Sequence, residues 1–282
     1  MRKAIQFMII NALAFTLLNV GVKYLEKFNV YQIVCFRAFG SLFFTYPFLI
    51  KHNISIVGNK VKLLLLRSAC GLIAMTLFFS SLKLLPAGTA VSIRYVAPIF
   101  AAVFALFILK ERVKPLQWLF FISAFIGVLM LKGFDLSMVG LGFLIAIISA
   151  IFTGLVFIII RQIGNKDHPI VVVNYFMTMS FVVSGILCIN YWVTPQGWEW
   201  LVLLSLGVTG YYGQVYMTKA MQQSETRLVA PLKYIEVIFT MLVGVIWFQE
   251  GYTLMSVSGI LLILVSLVMN VYVINHKYQK QT

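Results

Sequence analysis

Five charged side chains of this 282-residue chain fall inside long apolar runs: Arg37, Arg67, Arg94, Lys233 and Glu236. A charge at the centre of a bilayer costs at least about 2.5–3.5 kcal/mol on insertion scales, so each needs a partner or a task. Four cations against one carboxylate make an electropositive interior, which suits an anionic ligand. The Arg94 guanidinium stays charged and offers a planar fork to a carboxylate or phosphate. Glu236 follows Lys233 by one turn on the same helix face, where it can neutralise the ammonium or exchange a proton. If that pair is purely structural, Arg94 is left with no acidic partner at its depth. Arg67 lies about one turn inside its run, within snorkelling reach of the headgroups. Arg37 lies deeper and could meet a carbonyl or serve packing.

These readings require a bilayer, and the composition points to one. Hydrophobic residues make up 61% of the chain, charged ones 11%, and the mean hydropathy is +0.97. A soluble domain would carry about 25% charged residues. The net charge of +14 is spread singly between apolar runs, with no basic patch for nucleic acid. Cys35, Cys70 and Cys188 lie inside apolar runs and read as small core residues. His52, His168 and His276 stand in connections or the tail, and no HExxH, nucleophile elbow or carboxylate pair occurs. That pattern argues against an enzyme, a metal site or a bound cofactor. The N-terminal MRK and apolar run mimic a secretory signal, yet the run is long and lacks a small-x-small cleavage site. It reads as a retained first membrane helix.

Ten runs of about membrane-spanning length can be marked: 4–22, 30–50, 63–82, 88–109, 116–131, 139–160, 169–191, 198–218, 226–248 and 252–274. Helix stops punctuate the connections at Leu85-Pro86-Ala87-Gly88, Lys114-Pro115, His168-Pro169 and Pro195-Gln196-Gly197. The segment Ser92–Arg112 returns 139 positions later as Pro231–Gly251, so that Arg94 meets Lys233, Tyr95 meets Tyr234 and Glu111 meets Glu250. The chain thus divides into halves, 1–134 and 135–282, of five runs each. An odd number of runs sends the second half through the membrane in the opposite direction. Fourteen Lys and Arg of the connections and tails fall on the side of the N-terminus, against Lys23, Lys27, Lys83 and Lys132 on the other. The bias puts both termini in the cytoplasm. The expected fold is an all-α integral membrane protein of ten transmembrane helices in two inverted five-helix repeats, a plan suited to alternating access.

At 1.5 Å per residue, Arg94 lies roughly 9 Å from the outer end of its span and Lys233 roughly 10 Å from the inner end of its own. With a half-thickness of about 15 Å, both approach the midplane, with Tyr95 and Tyr234 beside them. Stripes at helical spacing could line the same space. They are Asn11, Phe15 and Asn19 on the first run, Ser149, Thr153 and Phe157 on the sixth, and Tyr211, Tyr212, Gln214 and Tyr216 on the eighth. Ala97, Ala101 and Ala105 form a small-residue face for close helix packing. Glu111 and Glu250 end equivalent runs, where a carboxylate opposes the helix dipole and needs Lys, Arg or a capping N–H as compensation. With Arg37 and Arg67 they are read as gate or structural positions, and Glu236 as the proton-coupling candidate.

The duplicated ten-run plan, the segment Ala97-Pro98 through Glu111 and the ending Phe248-Gln249-Glu250 resemble the EamA-type family of the drug/metabolite transporter superfamily. Arg67-Ser68-Ala69-Cys70-Gly71 through Met75, Phe78 and Leu85-Pro86 resembles its S-adenosylmethionine-type carriers. The resemblance covers nearly the whole chain. It implies a basket in which spans 1–4 and 6–9 surround a cavity, with 5 and 10 at the periphery, where some relatives dimerise. It also implies export or exchange of small organic metabolites across a bacterial inner (cytoplasmic) membrane. Joined to the buried charges, the expectation is a secondary active transporter, monomeric or homodimeric among membrane lipids. Its substrate would be an anionic or zwitterionic metabolite, amino-acid-like or S-adenosylmethionine-like, with Glu236 open to proton coupling. A lipid or lipid-phosphate flippase would use the same electropositive cavity. The orientation is testable: with the native cysteines removed, cysteine at Gln196 should react with an impermeant thiol reagent in intact cells. Labelling only after lysis overturns it.

Overall fold

Two of the helices begin where the sequence offers a side-chain cap. Asn29 accepts the Tyr31 N–H ahead of Val30, and His168 accepts the Ile170 N–H with Pro169 at the first helical position. The structure, a computed structural model, describes residues 2–108, 115–132, 140–223 and 235–278. Its α-helices are α1 (Arg2–Tyr24), α2 (Val30–Lys51), α3 (Val61–Leu84), α4 (Ala87–Arg94), α5 (Ala97–Ile108) and α6 (Pro115–Lys132). They continue with α7 (Leu141–Ile163), α8 (Pro169–Cys188), α9 (Glu199–Gln223), α10 (Ile235–Phe248) and α11 (Leu254–Tyr278).

The run expected at 88–109 is broken into α4 and α5. Pro98 has no N–H to give the Arg94 carbonyl, so the chain tightens locally. Tyr95 N–H reaches the Ser92 carbonyl at 3.1 Å, and Val96 N–H reaches that of Ile93 at 3.0 Å. Arg94 therefore stands at the end of a short helix, beside a break.

Among the described residues, six stretches are long and apolar enough to cross a membrane. They lie in α1, α2, α3, α4–α5 taken together, α7 and α8, with shorter apolar stretches in α6, α10 and α11. The 25-residue α9 has the length but is more polar, since it carries Ser205, Thr209, Gln214 and Thr218. Of the ten runs read from sequence, six are thus clear spans among the described residues, beside a set of shorter or more polar helices.

Helix pairs follow a regular scheme. α3 packs on α7 and α1 on α9; α2 lies against α8 and α9, and α3 also against α8. α5 contacts α7, α1 contacts α10, and α6 pairs with α11. Exchanging the first-half helices for their second-half counterparts turns each of these pairings into another of them or into itself.

Close crossings depend on missing side chains. A Cβ on Gly207 would lie 2.4 Å from the Gly40 Cα, so α2 and α9 touch backbone to backbone. Ser41 Oγ donates to the Gly207 carbonyl at 2.9 Å beside that contact. Gly154 of α7 faces the Ala97 carbonyl and the Ala101 nitrogen, which uses the small face expected on α5. Gly207→Ala should therefore cost about 1–3 kcal/mol by overpacking. Gly251→Ala, which meets nothing within 4 Å, should be neutral. Thermal melting of the purified protein checks both.

Candidate functional site

Glu236 enters in the first turn of α10, where the helix dipole favours a carboxylate, and it is fully buried. Arg94 Nη2 donates to Oε1 at 2.8 Å and Asn19 Nδ2 to the same oxygen at 2.9 Å. The Tyr95 hydroxyl donates to Oε2 at 2.5 Å. Groups from α1, from the end of α4 and from the adjoining break thus converge on one carboxylate. Glu236 thus pairs with Arg94 across helices, giving it the acidic partner that a purely structural Lys233–Glu236 pair would have denied it. Asn19 and Tyr95, read as ligand contacts, bond to Glu236. Lys233 and Tyr234, and Glu111, lie outside the described residues.

Beside this cluster is a small cavity that Arg37, Arg67 and Arg94 all line. Phe15, Thr153 and Phe157 reach it as their stripes suggested, and Gln214 joins them from α9. Arg67 does not snorkel, being only 1% exposed. Its Nη2 donates to Gln214 Oε1 at 3.1 Å, and its guanidinium lies 4.2 Å from the Phe176 ring centre. Arg37 is 2% exposed, donates from Nη1 to the Met75 sulfur and approaches the rings of Phe79 and Phe176. Among the described residues, Arg37 Nε and Arg67 Nε and Nη1 have no hydrogen-bond partner. Arg94 lies over Phe78 at 3.9 Å.

Glycines make the room. A Cβ on Gly210 would meet Arg37 Nε at 2.8 Å, and one on Gly71 would press on Phe176 and Arg67. Sequence reasoning set Arg37 and Arg67 down as gate or structural positions and missed Phe78, Phe79 and Phe176. The available signal was the depth of Arg37 in its run; nothing in the sequence shows which helix faces it.

The tyrosines of α9 depart from their expected place, since none of Tyr211, Tyr212 and Tyr216 is among the residues lining this cavity. Tyr212 and Tyr216 are each two positions from Gln214, on the opposite side of a 3.6-residue helix. Tyr212 is 43% exposed and stacks with Tyr216, while Tyr211 stacks on Phe44. Asn11 donates to the Gly213 carbonyl at 2.7 Å and ties α1 to α9.

Glu250 has the compensation its position demands. Both its oxygens accept the Ala87 N–H, at 2.9 and 3.0 Å, and Tyr252 donates to Oε2 at 2.6 Å. Lys23 lies 3.6 Å from Glu250 and donates to the carbonyls of Leu82 and Leu85 at 3.2 Å. The cation thus takes the free carbonyls ending α3, and the anion takes the free N–H opening α4.

The EamA-like transporter family matches residues 2–132 and 140–272. The pseudopaline exporter CntI of Pseudomonas aeruginosa is 24% identical over 269 residues, covering 94% of this chain and 95% of its own. Human solute carrier family 35 member G1 is 27% identical, over 92% of this chain and 76% of its own. The S-adenosylmethionine uptake transporter of Rickettsia prowazekii is 23% identical, over 90% of this chain and 87% of its own. A solved crystal structure shares the fold at a TM-score of 0.74 and 17% identity, covering 96% of this chain and 97% of that one. With its long apolar helices and these matches along almost its whole length, the chain is a multi-pass membrane protein that belongs to the EamA-like transporter family of the drug/metabolite transporter superfamily.

Proposed function

We propose that this chain is a secondary active transporter that moves a small metabolite bearing a carboxylate or phosphate across the cytoplasmic membrane. The observation that carries this reading is the cavity of buried guanidiniums, of which only Arg94 has a carboxylate partner among the described residues. Metabolite transport by its relatives supports the substrate class in outline. The architecture we infer is ten spans in two inverted halves, 1–134 and 135–282, with both termini in the cytoplasm. The paired family matches and the exchangeable helix pairings support the duplication. The surplus of Lys and Arg on the N-terminal side supports the orientation.

In that orientation Lys23 and Glu250 clasp the outer end, and the cavity lies deeper. Alternating access would open this clasp while the opposite end closes. Glu236 holds Arg94 while ionised; protonation weakens the pair and frees Arg94 for the substrate anion. Proton and anion then travel together.

In proteoliposomes, an inward proton gradient should accelerate uptake of the anionic substrate. Arg94→Ala should lower kcat/KM at least about tenfold, the worth of a charge-assisted bond, and Glu236→Gln should remove the gradient dependence. Uptake indifferent to gradients of either sign and retained in both variants overturns the reading. Glu250→Gln should lose the ion pair to Lys23 and weaken the cap on α4, destabilising the protein by about 0.5–2 kcal/mol in thermal melts.

A further inference from the structure

Arg37 and Arg67 narrow the ligand beyond its sign. They come from different helices, α2 and α3, and both guanidiniums lie against the ring of Phe176. Their hydrogen-bond partners are a thioether and an amide oxygen, neither of which carries charge. Three of their nitrogens have no acceptor among the described residues. A buried cation without compensation is costly, and a guanidinium does not escape the cost by giving up its proton. Two such cations beside one ring also repel each other. Packing alone does not account for the pair, since an apolar side chain of similar length would fill the same space without that penalty. Arg94 differs, because Glu236 answers its charge. The cavity lining therefore carries two guanidiniums without a carboxylate partner among the described residues.

Resting on the anion-transport reading above, we propose that the cavity takes a compact dianion whose two negative charges engage Arg37 and Arg67 together. Its apolar part would lie along Phe78, Phe79 and Phe176. Two chemistries meet these terms. A phosphate monoester places close to two charges on one group with several acceptor oxygens. A short dicarboxylate places one charge at each end and gives each fork its own planar partner. A monocarboxylate or a zwitterion leaves one guanidinium unanswered.

The test is calorimetric titration of the full-length protein in nanodiscs with succinate, glycerol 3-phosphate, acetate and alanine. At least one of the two dianions should bind about tenfold or more tighter than acetate and alanine; which one does identifies the group. Arg37→Met and Arg67→Met should each remove that preference, while the ligand-free variants melt no lower than wild type because a buried uncompensated charge is gone. Acetate or alanine binding as tightly as both dianions overturns the dianion assignment and leaves the broader transport reading standing. Binding of none of the four overturns it too, and the proteoliposome experiment then judges the broader reading separately. Variants that melt well below wild type show that the arginines hold the fold, which also overturns the proposal.

Discussion

The bond between Arg94 and Glu236 joins α4 to α10 at 2.8 Å, with the carboxylate fully withdrawn from the surface. Taking both charges from water costs several kcal/mol per ion, and their attraction repays this only when the remaining oxygens are also bonded. Asn19 and Tyr95 meet that condition. Much of the local architecture serves it. The break before Pro98 ends α4 at Arg94, α10 opens one residue before Glu236, and α1 presents Asn19 on its buried face. Breaking the pair from one side would strand the other charge. A protonation change at Glu236 would therefore be felt in three helices at once.

The same accounting governs the end of the bundle where α3 turns into α4. A tight turn between antiparallel helices leaves carbonyls on one strand of the turn and N–H groups on the other. Lys23 and Glu250 answer them in kind and then pair with each other. The clasp draws on α1, the α3–α4 turn and the segment before α11. Because it holds the opening of α4, it bears on the helix whose far end carries Arg94.

Beside the Arg94 cluster, the bundle trades side-chain volume for room. Gly71 and Gly210 leave space where Arg67 and Arg37 pass, and phenylalanine rings provide faces that the guanidiniums can approach. Ring faces soften the burial of a cation without neutralising it. That keeps the cavity electropositive.

The sequence alone determined the membrane environment, the apolar runs and the residues that could not be facing lipid. Those follow from composition and from the cost of a charge in hydrocarbon, which any single residue reveals. The 139-residue echo pointed to Arg94 and Glu250, and the compensation expected for Glu250 is present. The tertiary structure decided which charges meet. Glu236 meets Arg94, 142 positions away in the sequence, at 2.8 Å. Arg67 looked able to reach the headgroups, and its helix instead turns it inward onto Phe176. The tyrosines around Gln214 looked like one patch, and helical rotation sends Tyr212 and Tyr216 to the far side. Periodicity fixes which residues share a helix face, but the identity of the facing helix depends on how the backbones cross. Here those crossings rest on contacts such as Gly40 with Gly207, between residues far apart in the chain, where the absence of a side chain is what lets the helices meet.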